Sequence, residues 1–146
     1  MHKIKQIPED FIVKEINDTE FNDNGQYSYF LLKKKNYNTL KAINTISQKL
    51  RINEKNISFA GNKDRSAITE QLISIKNGRK NIENLQIKDI ELKFLGKGNE
   101  KIFLGNLTGN EFIITIRNLA KKDIKNIKEK RNKYSKLFRQ TKIFNK

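Results

Sequence analysis

Apolar residues in this chain recur mostly at a spacing of two, in short bursts separated by turn-forming clusters, and only twice at helical spacing. That pattern restricts the fold to a sheet with a few helices, because a period of two buries one face of a strand and a period of 3.6 buries one stripe of a helix. Phe11 to Ile16 alternates, with Phe11 and Val13 on one side and Ile12 and Ile16 on the other, and Pro8 upstream predicts a rigid extended entry. Asn22 to Gly25 is a turn cluster, and Gln26 to Lys33 reads as a second strand. Asn38 is placed to cap a helix carrying Leu40, Ile43, Ile46 and Leu50. Ile57 to Ala60 predicts a short strand ending at Gly61, then a polar loop from Asn62 to Arg65, then a strand from Ala67 to Ile75. The stretch 77–87 fits neither period. Ile90, Leu92 and Phe94 alternate, and Ile102 to Leu104 and Phe112 to Ile116 predict two more strands joined through Gly105 and Gly109. Asp123 to about Arg139 predicts a basic helix with Ile124, Ile127, Tyr134 and Phe138 on one side, and no Gly or Pro follows to stop it. The expected class is α+β with a mixed or antiparallel sheet, divided into 1–120 and a basic C-terminal helix, 121–146.

A length of 146 residues suggests one domain or part of one. Lys and Arg number 31 against 16 Asp and Glu, a net charge of +15, of which 121–146 carry +9. Solubility asks for a magnitude of only about 2–8, so a polyanion is the expected partner, nucleic acid before anionic membrane. The many Asn, Ile and Lys residues also point to an AT-rich genome, which accounts for part of the excess. The basic helix accordingly has two readings, a phosphate-binding face or a solvated helix. There is no Cys and one His, His2, which excludes disulfides, thiol nucleophiles, Cys-ligated zinc and clustered-His metal sites. The N-terminal MHKIKQIPED holds no apolar stretch of a secretory signal, and no segment approaches the ~20 apolar residues of a membrane helix. A cytoplasmic location is expected.

Three ordered segments carry a family resemblance. Lys5-Gln6-Ile7-Pro8-Glu9-Asp10-Phe11-Ile12-Val13-Lys14-Glu15 is the first. The second, and the most specific, is Ser58-Phe59-Ala60-Gly61-Asn62-Lys63-Asp64-Arg65-Ser66-Ala67-Ile68-Thr69-Glu70-Gln71. The third is Leu104-Gly105-Asn106-Leu107-Thr108-Gly109-Asn110-Glu111-Phe112. Together they resemble the TruD family of tRNA pseudouridine synthases in content, order and separation. The resemblance implies part of a pseudouridine synthase catalytic domain, acting on a uridine of tRNA, typically position 13, with no metal or organic cofactor. It implies Asp64 as the nucleophile and Phe11, Asn110, Phe112, Lys5 and Glu15 as substrate-binding residues.

The residues themselves support that chemistry. Exchanging a glycosidic N–C bond for C–C needs a nucleophile that also leaves, which suits a carboxylate better than an amine or thiol. Lys63, Arg65 or, ahead of both, Lys5 is placed to pair with Asp64 and keep it ionised, and Gly61 leaves room for RNA to approach. Lys63 and Arg65 thus join the substrate-binding candidates. Each residue also has a plainer reading: Asp64 and Asn110 as turn residues, Phe11 and Phe112 as core, Lys5 and Glu15 as surface charge.

The resemblance covers less than half of a full family member. The family's N-Y-F-G-x-Q-R-F-G segment is matched only by Lys136-Leu137-Phe138-Arg139-Gln140-Thr141-Lys142-Ile143-Phe144, without the glycines. A divided sheet lacking one half leaves an open edge and half a cleft. The expectation is therefore a truncated product, or one piece of a split enzyme with a second polypeptide supplying the rest, ahead of a minimal stand-alone form. A non-catalytic basic module that binds tRNA or other structured RNA is the alternative.

Overall fold

The computed structural model describes residues 3–133 and 141–145. In chain order the elements are β1 (Lys3–Ile4), β2 (Phe11–Ile16), β3 (Tyr27–Lys35), α1 (Thr39–Leu50), β4 (Ile57–Phe59), β5 (Ile68–Lys76), β6 (Ile90–Gly98), β7 (Gly109–Arg117), α2 (Lys121–Lys133) and β8 (Thr141–Asn145). The α+β class holds: the strands form one mixed sheet whose main path is β7-β2-β5-β3-β6. The pairs are antiparallel except β2 with β5 and β7 with β8. β5 divides its outer edge, pairing with β2 through Ile68, Thr69 and Glu70 and with β4 through Ile73, Ser74 and Ile75.

Directly paired residues share a face, so the register fixes what lies together. Phe11 faces Ile114, Val13 faces Phe112, and Glu15 faces Asn110. Val13 also faces Thr69, and Thr69, Gln71 and Ile73 face Lys34, Leu32 and Phe30. One side of the sheet therefore carries two different surfaces. Towards β3 and β6 it is the core, where Phe30, Leu32, Ile73, Ile75, Ile90 and Leu92 are buried with Ala42, Ile43 and Ile46 of α1 and Ile57 of β4. Towards β2 and β7 it is aromatic and polar. Each fully buried Leu, Ile or Phe contributes about 1.5–3 kcal/mol relative to exposure, so the α1 side anchors the sheet and the other side rides on it.

α1 starts and stops where local chemistry dictates. The Asn38 side-chain oxygen accepts the Lys41 N–H at 2.8 Å, and Arg51, left-handed at φ 56°, ends the helix with its N–H on the Gln48 carbonyl. Replacing Asn38 by Ala should lower stability by about 1 kcal/mol in urea unfolding, the usual worth of such a cap. The Asn22–Gly25 turn closes against β6, where a Cβ at Gly25 (φ 136°) would sit 2.3 Å from the Gly98 carbonyl oxygen.

Three sequence expectations need correcting, and one undecided stretch takes a definite form. Pro8–Asp10 is a single 3-10 turn, not extended entry. Its Asp10 is buried and accepts Arg117 Nε at 2.9 Å and Nη2 at 2.7 Å, which pins the start of β2 to the end of β7. Residues 77–87 include another 3-10 turn, Lys80–Asn84, whose Ile82 packs on the core. Ile102 to Leu104 is not a strand: it joins no ladder among the described residues, while β4 takes the edge of β5 beyond β2. Only Ile102 is buried there, with its N–H on Ser74 Oγ at 2.9 Å, while Phe103 and Leu104 are exposed. Finally, the basic helix does not run to the end: α2 covers 121–133, and Thr141–Asn145 is strand β8. The partner explains it. β2 takes one edge of β7, and the other edge offers a free row of N–H and C=O groups that β8 pairs in parallel register, Ile143 against Ile114. Tyr134, Phe138 and the stretch 136–140 lie outside the described residues.

Candidate active site

The loop after β4 brings Asp64 to the aromatic side of the sheet. Its Oδ1 accepts the Ser66 N–H at 3.0 Å, a local turn bond of the kind Asp readily makes. Its Oδ2 lies 3.2 Å from Lys5 Nζ. Lys5 is therefore the cation that pairs with Asp64. The Ser66 N–H first, and then the Lys5 ammonium, hold the Asp64 carboxyl below the ordinary carboxylate range. About half of the Asp64 side chain is exposed, so an ionised oxygen faces the open side.

Lys5 does more than neutralise. Its ammonium also sits 4.0 Å from the centroid of the Phe11 ring, a cation–π distance. Phe11 in turn meets Phe112 at 6.0 Å between centroids and 42° between planes. One cation thus joins the carboxylate to a pair of half-buried aromatic rings. Asn110 lies two residues before Phe112 on the same face, opposite Glu15, and its Oδ1 is buried with no hydrogen-bond partner among the described residues.

The other charged candidates go elsewhere. Lys63 Nζ is bound to Glu15 Oε2 at 3.0 Å, with side chains only 8% and 1% exposed. Glu15 Oε1 accepts the Leu72 N–H at 3.3 Å. Neither is the solvated surface charge its residue type suggests, and Lys63 offers no free ammonium to a ligand. Arg65 is exposed and lines a groove of about 340 Å³ with Lys5, Gln6, Asn36 and Ser66. At Gly61 the backbone is not left-handed, and a Cβ would meet only Leu107 Cδ2 at 3.8 Å and Lys63 Nζ at 3.9 Å. The fold itself does not require glycine there.

Beneath the turn lies a buried polar scaffold that motif reading did not single out. Thr39 Oγ1 donates to Gln71 Oε1 at 2.8 Å and accepts the Lys63 N–H at 2.8 Å. Gln71 Nε2 donates to the Gly61 carbonyl at 2.9 Å. Lys34, buried at the end of β3, donates to the Tyr37 carbonyl at 2.6 Å and reaches the Asp64 and Lys63 carbonyls at 3.3 and 3.5 Å. Burial pulls its ammonium down to about 8, offset in part by Asp64 and reinforced by Lys63. The signal was in the strand parity: Lys34 continues the even-numbered positions of Phe30 and Leu32, where an unpaired lysine has no place in an ordinary core. Among the described residues no three His, Cys, Asp or Glu side chains cluster as a metal site would need, and no helix is long and apolar enough to cross a membrane.

A family model described as tRNA pseudouridine synthase D (TruD) matches residues 1–145. The chain is 43% identical over 123 residues to the tRNA pseudouridine synthase D of Aquifex aeolicus, covering 82% of this chain and 32% of that protein. It is 44% identical over 118 residues to the probable tRNA pseudouridine synthase D of Methanococcoides burtonii, covering 80% and 27%. A crystal structure described as the putative tRNA pseudouridine synthase D from Methanosarcina mazei superposes with a TM-score of 0.82 at 38% identity, over 89% of this chain and 30% of that one. The chain spans about a third of the length of the curated relatives it matches. With the three motifs folded into one sheet face and the match running from 1 to 145, this chain belongs to the TruD family.

Proposed function

We propose that this chain carries the nucleophile-bearing part of a tRNA pseudouridine synthase, with Asp64 as the nucleophile. The observation that carries the reading is Lys5, whose ammonium contacts both the Asp64 carboxylate and the Phe11 ring. That places an ionised carboxylate next to an aromatic platform, the two things a flipped uridine needs. Extruding the base costs a few kcal/mol, and stacking on Phe112 or Phe11 returns about 1–3. The buried Asn110 oxygen, unpartnered among the described residues, is a ready acceptor for the uracil N–H. Gly61, which the fold does not demand, keeps the approach to the turn clear. In the reaction the carboxylate takes the sugar carbon as the N–C bond breaks. The base turns, its carbon displaces the carboxylate, and a proton leaves that carbon while the freed nitrogen gains one.

The rest of the cleft comes from sequence beyond this portion, as a second polypeptide or as a continuation of the catalytic domain. The outer edge of β8, which pairs only with β7 among the described residues, is where we place the junction. tRNA as substrate puts the protein in the cytoplasm, and α2 with the exposed Arg65 supplies phosphate contacts.

The test is pseudouridine formation in tRNA by the chain, alone and with the remaining catalytic portion of a relative added. Turnover only in the second case supports a split site. RNA binding without turnover in either favours the non-catalytic module. Phe112→Ala should weaken tRNA binding by about 1–3 kcal/mol, the worth of a lost stacking ring, measured by filter binding at fixed salt.

A further inference from the structure

Lys34 makes none of the contacts expected of a substrate cation, and the described residues give it no carboxylate ion pair. Its ammonium has three donors and faces three carbonyls: Tyr37, from the segment before α1, and Lys63 and Asp64, from the nucleophile turn. The charged form fits this set, since a neutral amine has two N–H groups and a lone pair that would point at a carbonyl oxygen. A buried cation without a carboxylate is costly, and an apolar side chain of similar size generally serves stability as well or better. What the lysine does that an apolar residue cannot is tie the turn to the body of the sheet.

We propose that Lys34 is a positioning residue for Asp64: its buried ammonium gathers the carbonyls of Lys63 and Asp64 with that of Tyr37 and so fixes the turn that aims the Asp64 carboxylate. This rests on the reading of Asp64 as nucleophile. The clamp acts through the backbone, while the carboxylate stays free to meet Lys5 and the Ser66 N–H. The charged groups facing Lys34 are Asp64, which favours its ammonium, and Lys63, which opposes it. Thr69 and Ile90, its neighbours on β5 and β6, do not titrate.

The test uses the whole chain and needs no turnover. In Lys34→Met the amide protons of Lys63 and Ser66, bonded to Thr39 and Asp64, should exchange about tenfold or more faster relative to those of Phe30 and Ile73. In the unmutated chain, carbon-13 NMR from about pH 7 to about pH 10 should show the Lys34 side chain titrating near 8. The Asp64 carboxyl signal should move at the same midpoint. In a folded Lys34→Met chain the Asp64 signal should lose that step, and a step near 8 that persists there overturns the proposal. Unchanged protection of Lys63 and Ser66 in a folded Lys34→Met chain overturns the proposal. So does a Lys34 titration that leaves the Asp64 signal still. If Lys34→Met does not fold, the titration of the unmutated chain decides alone. These readouts are independent of whether Asp64→Asn retains turnover, so the clamp and the nucleophile assignment fail separately.

Discussion

Asp64→Asn is expected to reduce pseudouridine formation by at least about a thousandfold, measured with the complementary catalytic portion supplied. The substitution keeps the shape of the side chain and leaves an oxygen for the Ser66 N–H. It removes the charge that Lys5 holds at 3.2 Å and the nucleophilic oxygen pair. Affinity for tRNA should stay within about 1 kcal/mol, because Asp64 makes no phosphate contact in this reading and half-exposed substitutions are usually small. A loss of both turnover and affinity would point instead to a collapsed turn. Retained turnover would return the role to another carboxylate. Glu15 is poorly placed for it, because its side chain is only 1% exposed and is bound to Lys63 and the Leu72 N–H. The pH dependence has a definite sign. Ser66 and Lys5 lower the Asp64 pKa, so if Asp64 is the nucleophile, the acid limb of activity is expected below the ordinary carboxylate range in a pH–rate profile.

Glu15→Ala is expected to destabilise the chain by about 3–5 kcal/mol in urea unfolding, the cost of breaking a buried ion pair by removing one partner. The interior figure applies because the Lys63 and Glu15 side chains are 8% and 1% exposed. Two groups lose a partner at once, the Lys63 ammonium and the Leu72 N–H. The double variant Glu15→Met with Lys63→Met should recover much of the loss, since well-packed apolar residues replace a buried pair at little cost. If Glu15→Ala alone is nearly neutral, the pair is solvated in solution and Lys63 becomes available to RNA. That outcome would restore the substrate role its sequence position suggests.

The strands β2, β3, β5, β6 and β7 and the helix α1 were legible because each carries its own signal: a period, a cap or a turn cluster a few residues away. Asp64 was legible for the same reason, since the motif around it is contiguous. The pairing of Asp64 with Lys5, 59 residues away, was only one of three choices, because local chemistry does not distinguish cations of like charge. Ile102 to Leu104 and Thr141 to Asn145 exchanged roles relative to expectation because a strand is decided by whether an edge is free to pair with it. The free edge of β7 took up Thr141–Asn145. Glu15's plainer reading as a surface charge gave way to a buried pair with Lys63, a depth that only the assembled sheet and turn set. The sequence by itself determined the elements and the nucleophile candidate. The tertiary structure alone decided which charges are enclosed, which are exposed and which carbonyls Lys34 holds, since burial and long-range pairing are properties of the assembled sheet and not of any single segment.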